Sequence, residues 1–187
     1  MSTIEKPTRH LTALMRLLIT PRLASSYSVV TDQLGDVLSA AELKRAVDGV
    51  GDFALVATYS ILLRFVEEHD IAVSADQFHA YWAMAFKAAA ERAELPAADM
   101  DARWAAFNRC LKSYVTLWHA VPHAALQRDG ILVWARHFFA DHVVAAPIAP
   151  PPAMRERHAR TFATAGVIVQ EIEHVAKARF ESFAVVV

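Results

Sequence analysis

The sequence predicts a mostly α fold, a bundle of about six or seven helices, and three observations carry that prediction. Glycine is scarce, at 5 residues, while alanine takes about one position in five, well above the usual composition. Alanine gives up no side-chain entropy in a helix and glycine gives up the most backbone entropy. Two capping boxes, Ser39-Ala-Ala-Glu42 and Ser74-Ala-Asp-Gln77, mark helix starts. Between the breaks, apolar residues recur at steps of three and four, the period of one helical face.

Taken in order, the elements are these. Pro7 and Pro21 bracket a first helix over 8–19. The Ser39 box starts a short helix over 40–48, ending near Gly49. A helix over 52–69 follows. Val56, Tyr59 and Leu63 lie on one side of it and Ile61 and Phe65 on the other, so it is apolar all round and belongs in the middle of the bundle. The Ser74 box starts a helix over 75–93 with Phe78, Trp82, Ala85, Phe86 and Ala89 on one face. Pro96 opens a helix over 97–121, where Met100, Trp104, Phe107, Leu111, Tyr114 and Trp118 form a stripe about five turns long. Trp82, Phe86, Trp104, Phe107, Leu111 and Trp118 are the expected core. Should Trp104 lie at the surface instead, the stripe becomes a candidate binding face.

After the turn signal Asp129-Gly130, a helix is expected over 131–145. Pro147, Pro150, Pro151 and Pro152 then make a stiff, extended connector. A long helix over 154–183 carries Phe162, Ala165, Val169, Ile172, Ala176, Phe180 and Phe183 on one side. Gly166 inside it costs about 1 kcal/mol relative to alanine and suggests a close helix crossing. Three closing valines favour a short C-terminal strand. The domain reading is a bundle over 1–146, a connector over 147–152, and a final helix with an apolar tail over 153–187, packed on the bundle or on a partner.

Composition narrows the function classes. Lys+Arg number 19 and Asp+Glu 20, a net charge of -1, and the isoelectric point is about 6.8. That balance gives no global argument for nucleic acid or an anionic membrane as partner. Arg155, Arg157, His158 and Arg160 form a local basic face, and Arg9, Arg16 and Arg22 line the first helix. Clusters this small read as solvated faces. The longest apolar run, Phe53 to Phe65, is interrupted by Thr58, Ser60 and Arg64 and falls short of the roughly 20 apolar residues of a spanning helix. The single cysteine, Cys110, excludes an internal disulfide framework. It reads as a structural cysteine, and with no leader pattern the expected location is cytoplasmic.

Motifs with chemistry are few. Glu171-Ile-Glu-His174 has the Glu-x-x-His spacing of carboxylate-bridged di-iron bundles, which need two such motifs, and here there is one. Glu171 and His174 also lie roughly 140–160° from the centre of their helix's apolar stripe, at 100° per residue. They are expected on a solvated face. His142 shares an apolar face with Ile131, Trp134, Ala135 and Phe138. It reads as a core histidine bonded to a carbonyl, or else as a ligand or partner contact. His137 and Asp141, four residues apart, can pair on the wetter side. His119 and His123 flank Pro122 at a helix end and need a third ligand to hold a metal. No phosphate-binding glycine loop and no Gly-x-Ser-x-Gly elbow is present.

No set of convergent polar groups can be assembled into a catalytic centre. The expectation is therefore a cytoplasmic, non-catalytic accessory subunit. It docks on a partner protein in a hetero-complex, the partner being an enzyme whose substrate, a peptide for example, it helps to hold. It needs no cofactor of its own, and any metal sits in the partner. The expected interaction residues are Trp118, His119, His123, Trp134, His142, Phe180, Phe183, Val185, Val186 and Val187. The competing reading is a stand-alone bundle that binds a metal or small ligand through His142, or through Glu171 with His174.

Overall fold

The computed structural model describes residues 5–23, 28–120, 130, 131, 134 and 152–184. Among them the chain is helical, with no strand. The helices are α1 (Glu5–Leu23), α2 (Ser28–Leu34), α3 (Ala40–Glu68), α4 (Ala75–Arg92), α5 (Ala97–Ala120) and α6 (Arg155–Ala184). Pro152–Met154 forms a 3-10 turn leading into α6. Most of the connector over 147–152, the strand expected at Val185 to Val187, and nearly all of the helix expected over 131–145 fall outside the described residues. Gly130, Ile131 and Trp134 are helical.

Both capping boxes form as the sequence spells them. Ser39 and Ser74 accept from the backbone N–H three residues on, and Glu42 and Gln77 return the bond to the cap backbone. The first box, however, starts a much longer helix than expected. α3 runs through Gly49 and Gly51 to Glu68 without a break. Each glycine costs about 1 kcal/mol in a helix interior, but Ala46, Val50, Phe53 and Ala54 around them are all 0% exposed. Burying that many apolar side chains outweighs the two glycines.

α1 is also longer than expected and contains both prolines. Pro7 lies in its first turn, where the missing N–H has no helical partner to lose. Pro21 lies in its last. α2 was not foreseen. Its one clear signal is the i, i+4 pair Val30 and Leu34, and both are buried.

α3 and α4 end in the same way. The Ile71 N–H donates to the Val66 carbonyl at 3.0 Å and the Asp70 N–H to the Glu67 carbonyl at 3.2 Å. Leu95 with Ala90 and Glu94 with Glu91 repeat the pattern at 3.1 Å each. This is the doubly bonded C-terminal motif that needs a left-handed residue just beyond the helix. Asp70 (φ 50°) and Glu94 (φ 54°) take that conformation here without being glycine.

α3 is the central helix, as its all-round apolar pattern predicts. It packs against α1, α2, α4, α5 and α6, and Phe53 through Thr58 are all 0% exposed. It is long and apolar enough to cross a membrane by composition alone, with a mean hydropathy of 1.5 over its most apolar stretch. Of that stretch, 67% is buried inside the bundle, as a core helix would be. The longest apolar run in the sequence, Phe53 to Phe65, is only part of this 29-residue helix.

Neighbours rise along α3 together. Glu42 pairs with Arg157, Arg64 with Glu173, and the Phe65 ring lies 5.7 Å from that of Phe180. α6 therefore runs parallel to α3. Along α5, Asp52 feels Arg103 and Arg109, and Ser60 meets Tyr114, so α5 is parallel to α3 as well. α4 lies antiparallel to α5, with Phe86 on Trp104 at 5.1 Å and Trp82 on Phe107 at 5.7 Å. Ala165, Ile168, Val169, Ile172, Ala176 and Phe180 of α6 are buried against the bundle. Gly166 marks no close crossing, because a Cβ there would meet nothing within 4 Å.

Candidate docking face

α5 sits at an edge. Its backbone packs on α3, and ring contacts from α4 hold its first half. Trp104 lies 5.8 Å from His79 and 5.1 Å from Phe86. The sequence assigned its apolar stripe to the core, and the structure corrects part of that. Trp82, Phe86 and Phe107 are buried. Trp104 and Leu111 are only partly buried, as are Met100, Tyr114 and Leu117, and Val115 is 42% exposed. Phe107 is the one residue of the α5 stripe that is fully covered among those described.

The inner side of α5 is polar in places, and each group there is engaged. Ser60 and Tyr114 share a hydrogen bond of 2.9 Å. Burial pushes the Tyr114 hydroxyl above its ordinary pKa, against the pull of Ser60 and Arg64. Arg64 pairs with Glu173 and, at 3.5 Å, with Glu68. Burial also raises Asp52, with Arg103 and Arg109 opposing. The Cys110 thiol is pushed up to about 11 by burial and by Asp52, with Arg109 opposing. A neutral, half-buried thiol is a poor nucleophile.

A second polar seam joins α6 to the start of α3. Glu42, 9% exposed, accepts from the Ser39 N–H at 2.8 Å, from the Ser39 hydroxyl at 2.7 Å and from Arg157. Burial pushes its carboxyl up, but the Ser39 bonds and the Arg157 charge outweigh burial and leave it below the ordinary value. Nearby, Arg160 reaches Asp36 at 3.1 Å and the Thr164 hydroxyl lies 3.1 Å from Gln33. Asp32, Gln33, Asp36, Arg160, Ala163 and Thr164 line a shallow, open groove of about 360 Å³ there.

The residues expected to carry function are scattered. Glu171 and His174 are exposed on the outer side of α6. Among the described residues, no three His, Cys, Asp or Glu side chains converge as a metal site would require. Trp134 is 1% exposed. It stacks on Phe53 at 5.4 Å, meets Tyr114 edge-on at 5.8 Å, and its indole N–H reaches the Ser113 hydroxyl at 3.4 Å. Phe180 is 7% exposed, between Phe65 and His69. Both belong to the core of this chain. The side chains of Trp118, His119 and Phe183, and all of His123, His142, Val185, Val186 and Val187, lie outside the described residues.

Arg22 was read as part of a solvated face but is 5% exposed, and its Nε and one terminal nitrogen have no hydrogen-bond partner. Its place in the last turn of α1 sets the cation against the negative end of the helix dipole. Helical period separates it from exposed Arg16: Arg22 follows Leu18 and Ile19 by four and three residues on the buried face, whereas Arg16 lies about 160° away from Leu18. No protein-family model matches the chain, and no curated protein or solved structure matches it.

Proposed function

We propose that this chain is an accessory protein that acts by docking on a partner protein through α5, the partner class favoured by the sequence being an enzyme whose substrate it helps to hold. One observation carries the reading: an apolar stripe long enough for a core helix is left partly uncovered along α5. Trp104, Leu111, Leu117 and Val115 combine aromatic and branched aliphatic surface, the residue types that anchor protein interfaces when a partner excludes water from them. On its inner side Tyr114 is bonded to Ser60 of α3, so that polar group is already engaged within the bundle.

The test is capture of partners from the native host with the unaltered protein and with Val115→Glu. Val115 is exposed, so the charge is tolerated in the isolated chain. A partner retained in fixed stoichiometry by the unaltered protein and lost with Val115→Glu, at an unchanged melting midpoint, supports the proposal. Equal recovery with both proteins refutes it.

A further inference from the structure

The stripe of α5 that points straight away from the bundle is distinct from its half-buried flanks, and its charges are ordered. Taking 100° per residue and Ala105 as the centre, Ala98, Asp101, Ala105, Arg109, Lys112 and Thr116 lie within about 40° of one line. All six are exposed. The positions stand three or four residues apart, as positions on one helix face do. The acid lies toward the N-terminal half, the bases toward the C-terminal half, and alanine sits between. Asp101, Arg109 and Lys112 enter none of the ion pairs found among the described residues.

We infer that this stripe is a self-association surface, taken by α5 of a second copy running antiparallel about a two-fold axis at Ala105. In such an isologous pair a surface must be complementary to itself reversed. This one is. Reversal brings Asp101 of each copy to the Arg109–Lys112 end of the other, so both ends gain opposite charges from a single sequence. A parallel pairing would place like charges side by side. Ala105 leaves room for the two copies to meet at the axis, and on either side of it the long Arg109 and Lys112 side chains reach toward Asp101 of the other copy. The inference is independent of the partner reading, which uses the flank formed by half-buried Trp104 and Leu111 and exposed Val115.

The experiment measures mass by light scattering on the full chain at low and high salt. The unaltered protein is expected to be a dimer that weakens as salt rises. Asp101→Lys alone, and Arg109→Glu with Lys112→Glu, each place like charges at both ends. Each should weaken the dimer by about a hundredfold or more, since facing like charges across an interface are strongly unfavourable. Mixed in equal amounts, the two variants restore opposite charges at both ends and should form a heterodimer.

Ala105→Arg, at the axis, should give a monomer and serves if a charge variant fails to fold. A monomeric unaltered protein overturns the inference, as does a dimer indifferent to these changes, or a mixture that stays monomeric. Partner capture sensitive to Val115→Glu can persist in every one of those cases, so the two readings fail separately.

Discussion

Replacing Glu42 by alanine should be among the most damaging single changes to a charged residue in this chain. Three losses add. The reciprocal half of the capping box goes, worth about 1 kcal/mol at a helix N-terminus. A charge-assisted bond from the Ser39 hydroxyl goes, another ~1 kcal/mol. The third loss is the tie to Arg157. A fully buried pair broken on one side costs about 3–5 kcal/mol, but the Arg157 side chain is 33% exposed and recovers water, so ~1 kcal/mol is the appropriate figure. The sum is ~3 kcal/mol, which for a chain of this length lowers the melting midpoint by roughly 6–12 °C.

Glu42→Gln keeps the acceptor toward Ser39 and should cost about half as much. The pH dependence has a definite sign. The folded carboxyl titrates below its ordinary value, 4.5, so the unfolded chain binds the proton first as pH falls. The contribution is complete above pH 4.5 and disappears as pH drops through the lowered folded value. Thermal unfolding from pH 7 to pH 3, on the unaltered protein and both variants, checks this. If Glu42→Ala melts within about 1 °C of the unaltered protein, the carboxylate is not holding the start of α3 to α6, because a change that small is well under 1 kcal/mol for this size.

Two further outcomes follow from local geometry. Glu94→Gly relieves a left-handed backbone and Gly166→Ala adds helix propensity where a Cβ meets nothing within 4 Å. Each should stabilise by about 0.5–1 kcal/mol in denaturant titrations, and destabilisation by either would contradict the backbone described at that position. With its thiol titrating at about 11, Cys110 should react with iodoacetamide at pH 8 far more slowly in the folded protein than in denaturant. Equal rates would show that it is neither buried nor raised.

The parts of the fold legible in the sequence were those fixed by local chemistry. Ser39 and Ser74 announce their helices through side chains three residues apart, and both caps form. The all-round apolar pattern of residues 53–66 placed α3 at the centre, because only a surrounded helix can keep every face dry. What misled was punctuation taken at face value. Gly49 and Pro21 weaken a helix by a known amount, but whether it ends there depends on what packs around them, and that is a tertiary fact.

The α5 stripe shows the same limit from the other side. Periodicity identified the apolar face correctly and could not say how much of it the neighbours would cover. Arg22 is a case where period outweighs charge: it continues the face of Leu11, Met15 and Leu18, and it is buried with them. A helix end at 118–123, a histidine on an apolar face at 142 and an apolar chain end at 183–187 are signals that do not separate core from contact. Trp134 and Phe180 show this, since both pack inside the chain.

The parallel alignment of α3 and α6 has a consequence for how the chain reaches its native state. Arg157 meets Glu42 across 115 positions of sequence, and Glu173 meets Arg64 across 109. Contacts so distant close late, because the loop entropy must be lost before any of them forms. During synthesis α3 is complete long before α6 leaves the ribosome. Until then Glu42 lacks its arginine, Arg64 lacks Glu173, and the Phe65 side of the central helix, which Phe180 covers, is open to water or to another nascent chain. The long C-terminal helix is thus the closing piece of assembly. A chain stalled or cut before Arg155 would present the bundle's most apolar helix to whatever chaperone or neighbour reaches it first.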